Sequence, residues 1–137
     1  MTKRVLLYSG GLDSLISWYL LDKPRTLYVD LGHCYVYKEI EAIYQLPPKP
    51  QFLKIQYGQY FEKADAHIPG RNLLLTMVAA GLGYDEVYLA CQKGEMLVPD
   101  RSEKFFDGTS DLLTFHFERP VKICNSAPHM YKHELVK

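Results

Sequence analysis

The sequence carries no excess charge of either sign: sixteen Lys and Arg residues face sixteen Asp and Glu among 137. This excludes a general electrostatic pull on nucleic acid or an anionic membrane and leaves only local patches to consider. Long hydrophobic runs are missing as well. None approaches the length of a membrane span, and the N-terminus goes directly into a strand-like RVLLYS rather than a secretion signal. Cysteine is scarce and odd in number. Cys34, Cys91 and Cys124 lie far apart, which suits free thiols in a reducing cytoplasm better than a disulfide framework. Nine glycines and eight prolines are too few for a low-complexity chain. Neither a Gly-x4-Gly-Lys-Ser/Thr loop nor a true Gly-x-Gly-x-x-Gly is present, which disfavours a kinase or an ordinary P-loop NTPase.

What is present is an alternation of short apolar β-rich runs with longer helix-compatible ones. Strands are expected at Arg4 to Tyr8, Thr26 to Asp30, Gln51 to Ile55, Glu86 to Cys91 and Pro120 to Ile123. Helices are expected at Asp13 to Leu21, Tyr35 to Tyr44, Arg71 to Leu82, Ser102 to Leu113 and Tyr131 to Val136. Lys23-Pro24 and Pro47-Pro48 supply stops. This rhythm predicts one α/β domain over residues 1–137: a doubly wound parallel sheet of about five strands in a three-layer α/β/α arrangement. Such sheets bind ligands at the carboxyl ends of their strands, where the strand order reverses. The loops at Ser9 to Asp13, Asp30 to His33 and Gln92 to Asp100 are thereby candidates for one rim.

The first of these loops lies in YSGGLDSLISWYL, residues 8–20. Gly10 and Gly11 allow backbone angles closed to other residues, so successive N–H groups can converge on an anion. A helix starting near Asp13 points its positive end at the same place, and Ser9 and Ser14 add hydroxyls. Taken alone, the glycines are better accounted for by a plain strand-to-helix turn capped by Asp13 or Ser14, because Gly-Gly turns are common.

The whole hexapeptide SGGLDS after a first strand is more specific: it resembles the pyrophosphate-binding loop of the PP-loop ATP pyrophosphatases, which split ATP into AMP and pyrophosphate. Within that superfamily, DLGHCYVYKEIEAI (30–43), HIPGRNLLLTMVAAGLGYDEVYLA (67–90), PDRSEKFFDGTSDLL (99–113) and PVKICNSAPHMYKHELVK (120–137) are similar, in order, to segments of the 7-cyano-7-deazaguanine (preQ0) synthase family. The resemblance implies the adenine nucleotide α-hydrolase fold and a place in queuosine biosynthesis. It implies an ATP-dependent ligase that adenylates 7-carboxy-7-deazaguanine or a similar deazapurine acid and delivers ammonia to give an amide and then a nitrile. ATP is the implied cosubstrate, with Mg²⁺ as the phosphate counterion.

Site roles follow from the same resemblance. Ser9, Gly10, Gly11, Leu12, Asp13 and Ser14 would hold the phosphates, and the backbone at Tyr28, Val29 and Asp30 would face the adenine. Asp13, Arg71 and Lys132 are the expected catalytic groups, and Arg71, Asn72 and Asp100 the expected substrate contacts. Arg71 stands in the first turn of a helix, where the dipole disfavours a cation, so a bound anion would explain it better than solvent. Asn72 reads equally as a helix cap, and Asp100 equally as a turn aspartate. The sequence departs from the family at His33, at Arg101-Ser102 and in lacking the family's four zinc-binding cysteines, so no structural zinc is expected. Cys124, His129 and His133 are a weak substitute without a fourth ligand. A homodimer is compatible with this reading; membrane or direct nucleic-acid partners are not expected. The alternatives are a trimmed PP-loop protein that binds a nucleotide or partner without nitrile chemistry, and a PP-loop ligase for a different acid.

Overall fold

A computed structural model describes residues 2–8, 12–32, 36–63, 70–90 and 102–126. Five apolar runs form the strands: β1 (Arg4–Leu7), β2 (Arg25–Asp30), β3 (Gln51–Lys54), β4 (Glu86–Leu89) and β5 (Lys122–Asn125). Five helices connect or flank them: α1 (Leu12–Leu20), α2 (Val36–Tyr44), α3 (Gly58–Phe61), α4 (Arg71–Gly81) and α5 (Glu103–Phe117). All strand pairs are parallel, and the order is β3-β2-β1-β4-β5. The chain builds outward from β1 to β3 and then crosses to β4 on the other side of β1. The reversal therefore falls between β1 and β4.

Alternation along the strands divides the core into two layers. Val5, Leu7, Leu27, Val29, Val87, Leu89 and Ile123 point to the face covered by Leu75, Ala79 and Ala80 of α4 and Phe106 and Leu113 of α5. Leu6, Tyr8 and Tyr28 point to the opposite face, where they meet Ile43 and Ile40 of α2 and Trp18 of α1. Helices on both faces make this a doubly wound, Rossmann-like α/β fold.

Two boundaries near the C-terminal end of the described residues differ from the sequence expectation. Helix α5 runs on to Phe117, where Glu118 ends it in the left-handed region at φ 55°; its start is capped by the Ser102 hydroxyl, which accepts from the Phe105 N–H at 3.2 Å. Strand β5 begins two residues later than expected, at Lys122, because Pro120 has no N–H and Val121 is held elsewhere. The Val121 N–H donates to Thr114 Oγ1 at 3.0 Å, and that hydroxyl lies 3.0 Å from the Val121 carbonyl. The Ile123 N–H likewise donates to Ser110 Oγ at 2.9 Å, while the Ser110 hydroxyl donates to the Phe106 carbonyl at 2.7 Å. Side chains of α5 thus occupy backbone groups on the outer edge of β5, which is otherwise an edge open to pairing. Ser110→Ala leaves the Ile123 donor without this partner and is expected to cost about 1–2 kcal/mol. Urea unfolding of the variant should show a lower midpoint with an unchanged slope.

Candidate functional site

The carboxyl end of β1 leads into Tyr8, whose N–H donates to the Leu27 carbonyl at 2.8 Å. The chain re-emerges at Leu12 as the first residue of α1. Ser9, Gly10 and Gly11, and the side chain of Leu12, lie outside the described residues. Asp13 and Ser14 fall inside the first turn of α1, so neither is the helix cap that the plain-turn reading required. An acidic side chain there is stabilised by the helix dipole. Ser14 is buried, and Asp13 keeps Oδ1 out of solvent.

The neighbouring strand β2 ends in a tight turn. Asp30 Oδ1 accepts from the Gly32 N–H at 2.8 Å, and Gly32 takes φ 71°, a conformation that glycine adopts without strain. The Asp30 carbonyl accepts from the Ile55 N–H at 2.7 Å, and the Leu31 carbonyl from the Gly58 N–H at 2.7 Å. These bonds fix the end of β2 to the segment after β3. Val29 is buried with its side chain in the core, so the backbone is what it can offer at the rim.

Tyr28 is buried, and its hydroxyl donates to Glu39 Oε1 at 2.9 Å. Burial pushes this hydroxyl far above the ordinary tyrosine range; Glu39 and then Asp30 push it further, and the Arg71 charge opposes them. Tyr28 and Asp30 stand at the carboxyl end of β2, and Arg71 is the first residue of α4, which packs on the other face of the sheet. Glu39, in the first turn of α2, is a member the sequence did not suggest. Its signal would have been an acidic residue at a helix start beside a buried tyrosine.

Helix α4 opens at Gly70, which takes the cap position at φ 70° with no side-chain cap bond. Asn72 is therefore the second helical residue rather than the cap, and it is buried. A β-carbon on Gly70 would lie 3.7 Å from the Tyr57 hydroxyl; Tyr57 immediately precedes α3, a short helix that the sequence pattern does not reveal. Between the start of α4 and the first two-thirds of α5 runs an open groove of about 550 Å³, lined by Gly70, Leu73, Phe105 and Leu112 among others.

The last described residue, Ser126, is tied to the same end of the sheet. Its N–H donates to the Leu89 carbonyl at 2.9 Å and its hydroxyl to Ser17 Oγ at 2.8 Å. Ser17 is fully buried within α1, so this bond gives a buried hydroxyl a partner and fixes the exit of β5 against α1. Asp100, Lys132 and the expected helix at Tyr131 to Val136 lie outside the described residues, as do His129 and His133. Cys124 is a half-buried free thiol. Burial raises its pKa, Lys122 lowering and Glu86 raising it by smaller amounts, so it is not an activated nucleophile. Among the described residues no group of three His, Cys, Asp or Glu side chains could hold a metal ion, and no helix is long and apolar enough to cross a membrane.

Burial also raises the pKa values of Tyr8, helped by Tyr19, and of Tyr88, helped by its hydrogen bond to Glu86. Tyr8, Tyr28 and Tyr88 are each more firmly protonated folded than unfolded. Their contribution to stability is therefore complete below the ordinary tyrosine pKa of about 10 and is lost as pH rises through the higher folded values. A spectrophotometric titration at high pH should show a group of late tyrosines whose ionisation coincides with unfolding. A single normal transition for all eleven tyrosines would contradict their burial.

No protein-family model and no curated protein matches the chain.

Proposed function

We propose that the protein is an ATP-splitting, adenylating enzyme of the PP-loop kind, acting on the carboxylate of a deazapurine acid such as 7-carboxy-7-deazaguanine. The observation that carries the reading is the position of SGGLDS. It lies in the chain between the end of β1 and the first turn of α1, and β1 borders the β1–β4 reversal of an all-parallel 3-2-1-4-5 sheet. Doubly wound sheets bind phosphorylated ligands at this point. The phosphates of ATP would lie at the glycine loop and the head of α1, with adenine against the backbone of Tyr28 to Asp30.

The substrate carboxylate attacks the α-phosphorus, and pyrophosphate leaves. Ammonia then displaces AMP to give the amide. A second adenylation on the amide oxygen, followed by loss of AMP, gives the nitrile. Adenylation is needed because a carboxylate oxygen is a poor leaving group and AMP a good one. The chain's task is to align the reactants and balance phosphate charge. Arg71 offers a fork of donors for a phosphate or for the acid, and Lys132 is the second cation assigned to the phosphates. Mg²⁺, when bound, would neutralise phosphate charge. Asp13 is the carboxylate suited to hold it or one of its waters.

Incubation with Mg-ATP, ammonia and 7-carboxy-7-deazaguanine, followed by mass spectrometry of the base, tests the acceptor. The expected result is an amide or nitrile formed together with AMP. AMP without a modified base would reject this acceptor and favour a PP-loop ligase for another acid.

A further inference from the structure

The amino ends of the strands, opposite the proposed ATP site, carry a second feature. A cleft of about 350 Å³ opens where β2 and β3 begin, and Lys23, Arg25, Lys49, Trp18, Thr26 and Gln51 are among the residues lining it. Its volume lies within the range of small-ligand pockets. Three cations line it, Lys23 and Arg25 from the start of β2 and Lys49 from just before β3, and among the described residues no carboxylate does. Asp85, adjacent to the lining residue Tyr84, is already engaged by the Lys3 N–H at 3.2 Å and by Arg119 Nε at 3.7 Å. Among the described residues, none of the three cations forms an ion pair.

The cleft is also held in shape before any ligand arrives. Asp22 and Lys23 both take left-handed backbone angles, at φ 62° and 55°. That conformation is costly for non-glycine residues and persists only when the surroundings impose it. Here they do: the Lys23 N–H donates to the Trp18 carbonyl at 2.8 Å, and Trp18 Nε1 donates to the Pro24 carbonyl at 3.1 Å. The Lys23 ammonium lies 5.8 Å from the centre of the Trp18 ring and 5.9 Å from that of Tyr19, within cation–π range. Pro24, Pro47 and Pro48 form further parts of the lining and restrict the backbone on both sides. An ordinary surface lysine loses side-chain entropy when it binds an anion; one already placed by two rings and a strained turn loses less.

We propose that this cleft is a binding site for a phosphate monoester, whose dianion would be met by Lys23, Arg25 and Lys49, with the Thr26 hydroxyl and the Gln51 amide as neutral partners. The site is separate from the adenylation site, because its residues stand where β2 and β3 start and the other site's stand where β1 and β2 end. It is a place for a small phosphorylated molecule to bind without competing with ATP.

The test is an NMR titration of the intact chain with inorganic phosphate, then with a phosphate monoester of glycerol, then with a short single-stranded oligonucleotide. Trp18 is the sole tryptophan, so its indole N–H gives one resolved signal inside the cleft. The expected result is saturable shifts of that signal and of the Lys23 to Thr26 amides with both small phosphates. Arg25→Ala and Lys49→Ala should each weaken binding roughly tenfold, the loss expected for one charge-assisted hydrogen bond, and Lys49→Arg should restore it. Both wild-type positions are exposed, and circular dichroism checks that the variants fold. Shifts that do not saturate, or that survive the alanine variants unchanged, would mean an adventitious ion only and overturn the proposal. Saturation by the oligonucleotide but by neither small phosphate would overturn it in favour of a nucleic-acid surface.

Discussion

Asp13→Ala is expected to cut AMP formation from ATP by at least about 100-fold, the usual consequence of removing a group that stabilises charge in a phosphoryl-transfer site. Asp13 stands in the first turn of α1, directly after the glycine loop, with one carboxylate oxygen out of solvent. A structural carboxylate in a first turn contributes only about 0.3–1 kcal/mol through the dipole, so the variant should remain folded. The comparison is AMP release per folded molecule, followed by chromatography with circular dichroism as the control. Ser9→Ala should behave similarly. Full activity in both variants would remove the phosphate site from the β1–α1 turn.

The second large effect concerns stability. Leu27 is 1% exposed in β2, an interior strand paired with Leu7 on one side and Gln51 on the other. Its side chain lies in the larger core layer beneath α4 and α5. Leu27→Ala should cost about 3 kcal/mol, combining lost burial with a cavity that a central strand cannot collapse to fill. Against a typical total of about 5–15 kcal/mol this is a large fraction, and the thermal midpoint should fall by about 10 °C. Met77→Ala is the control. Met77 is 47% exposed on α4, so its truncation should change stability by about 0.5 kcal/mol or less. Similar losses for the two variants would contradict the assignment of the sheet interior.

The strand–helix alternation was legible because buried parallel strands read as short continuous apolar runs, and Lys23-Pro24 and Pro47-Pro48 mark real interruptions. Strands β1 to β4 and helices α1, α2 and α4 fall within one or two residues of expectation. Boundaries set by tertiary contacts were not legible. Nothing local in Pro120 to Ile123 announces that Thr114 will take both backbone groups of Val121 and delay β5. Helix α3, four residues long, is too short to show a period.

The same division holds at the candidate site. Asp13 is legible through the resemblance of SGGLDS to a phosphate-binding loop, and Arg71 through the conflict between a cation and a helix N-terminus. The Tyr28–Glu39 hydrogen bond and the Ser17–Ser126 link join residues far apart in sequence, and no spacing rule predicts either. The cationic cleft was hidden for the same reason. Lys23, Arg25 and Lys49 are unremarkable singly, in a chain whose charges sum to zero, and only the fold gathers them.

The central claim is that the SGGLDS turn binds ATP for cleavage between the α- and β-phosphates. The most direct measurement is incubation with Mg-ATP labelled in the adenine, with separation of the nucleotide products. The expected products are AMP and an equal amount of pyrophosphate, dependent on an acceptor acid and lost in Asp13→Ala. ADP and inorganic phosphate as the products, or no ATP binding by calorimetry, would contradict it.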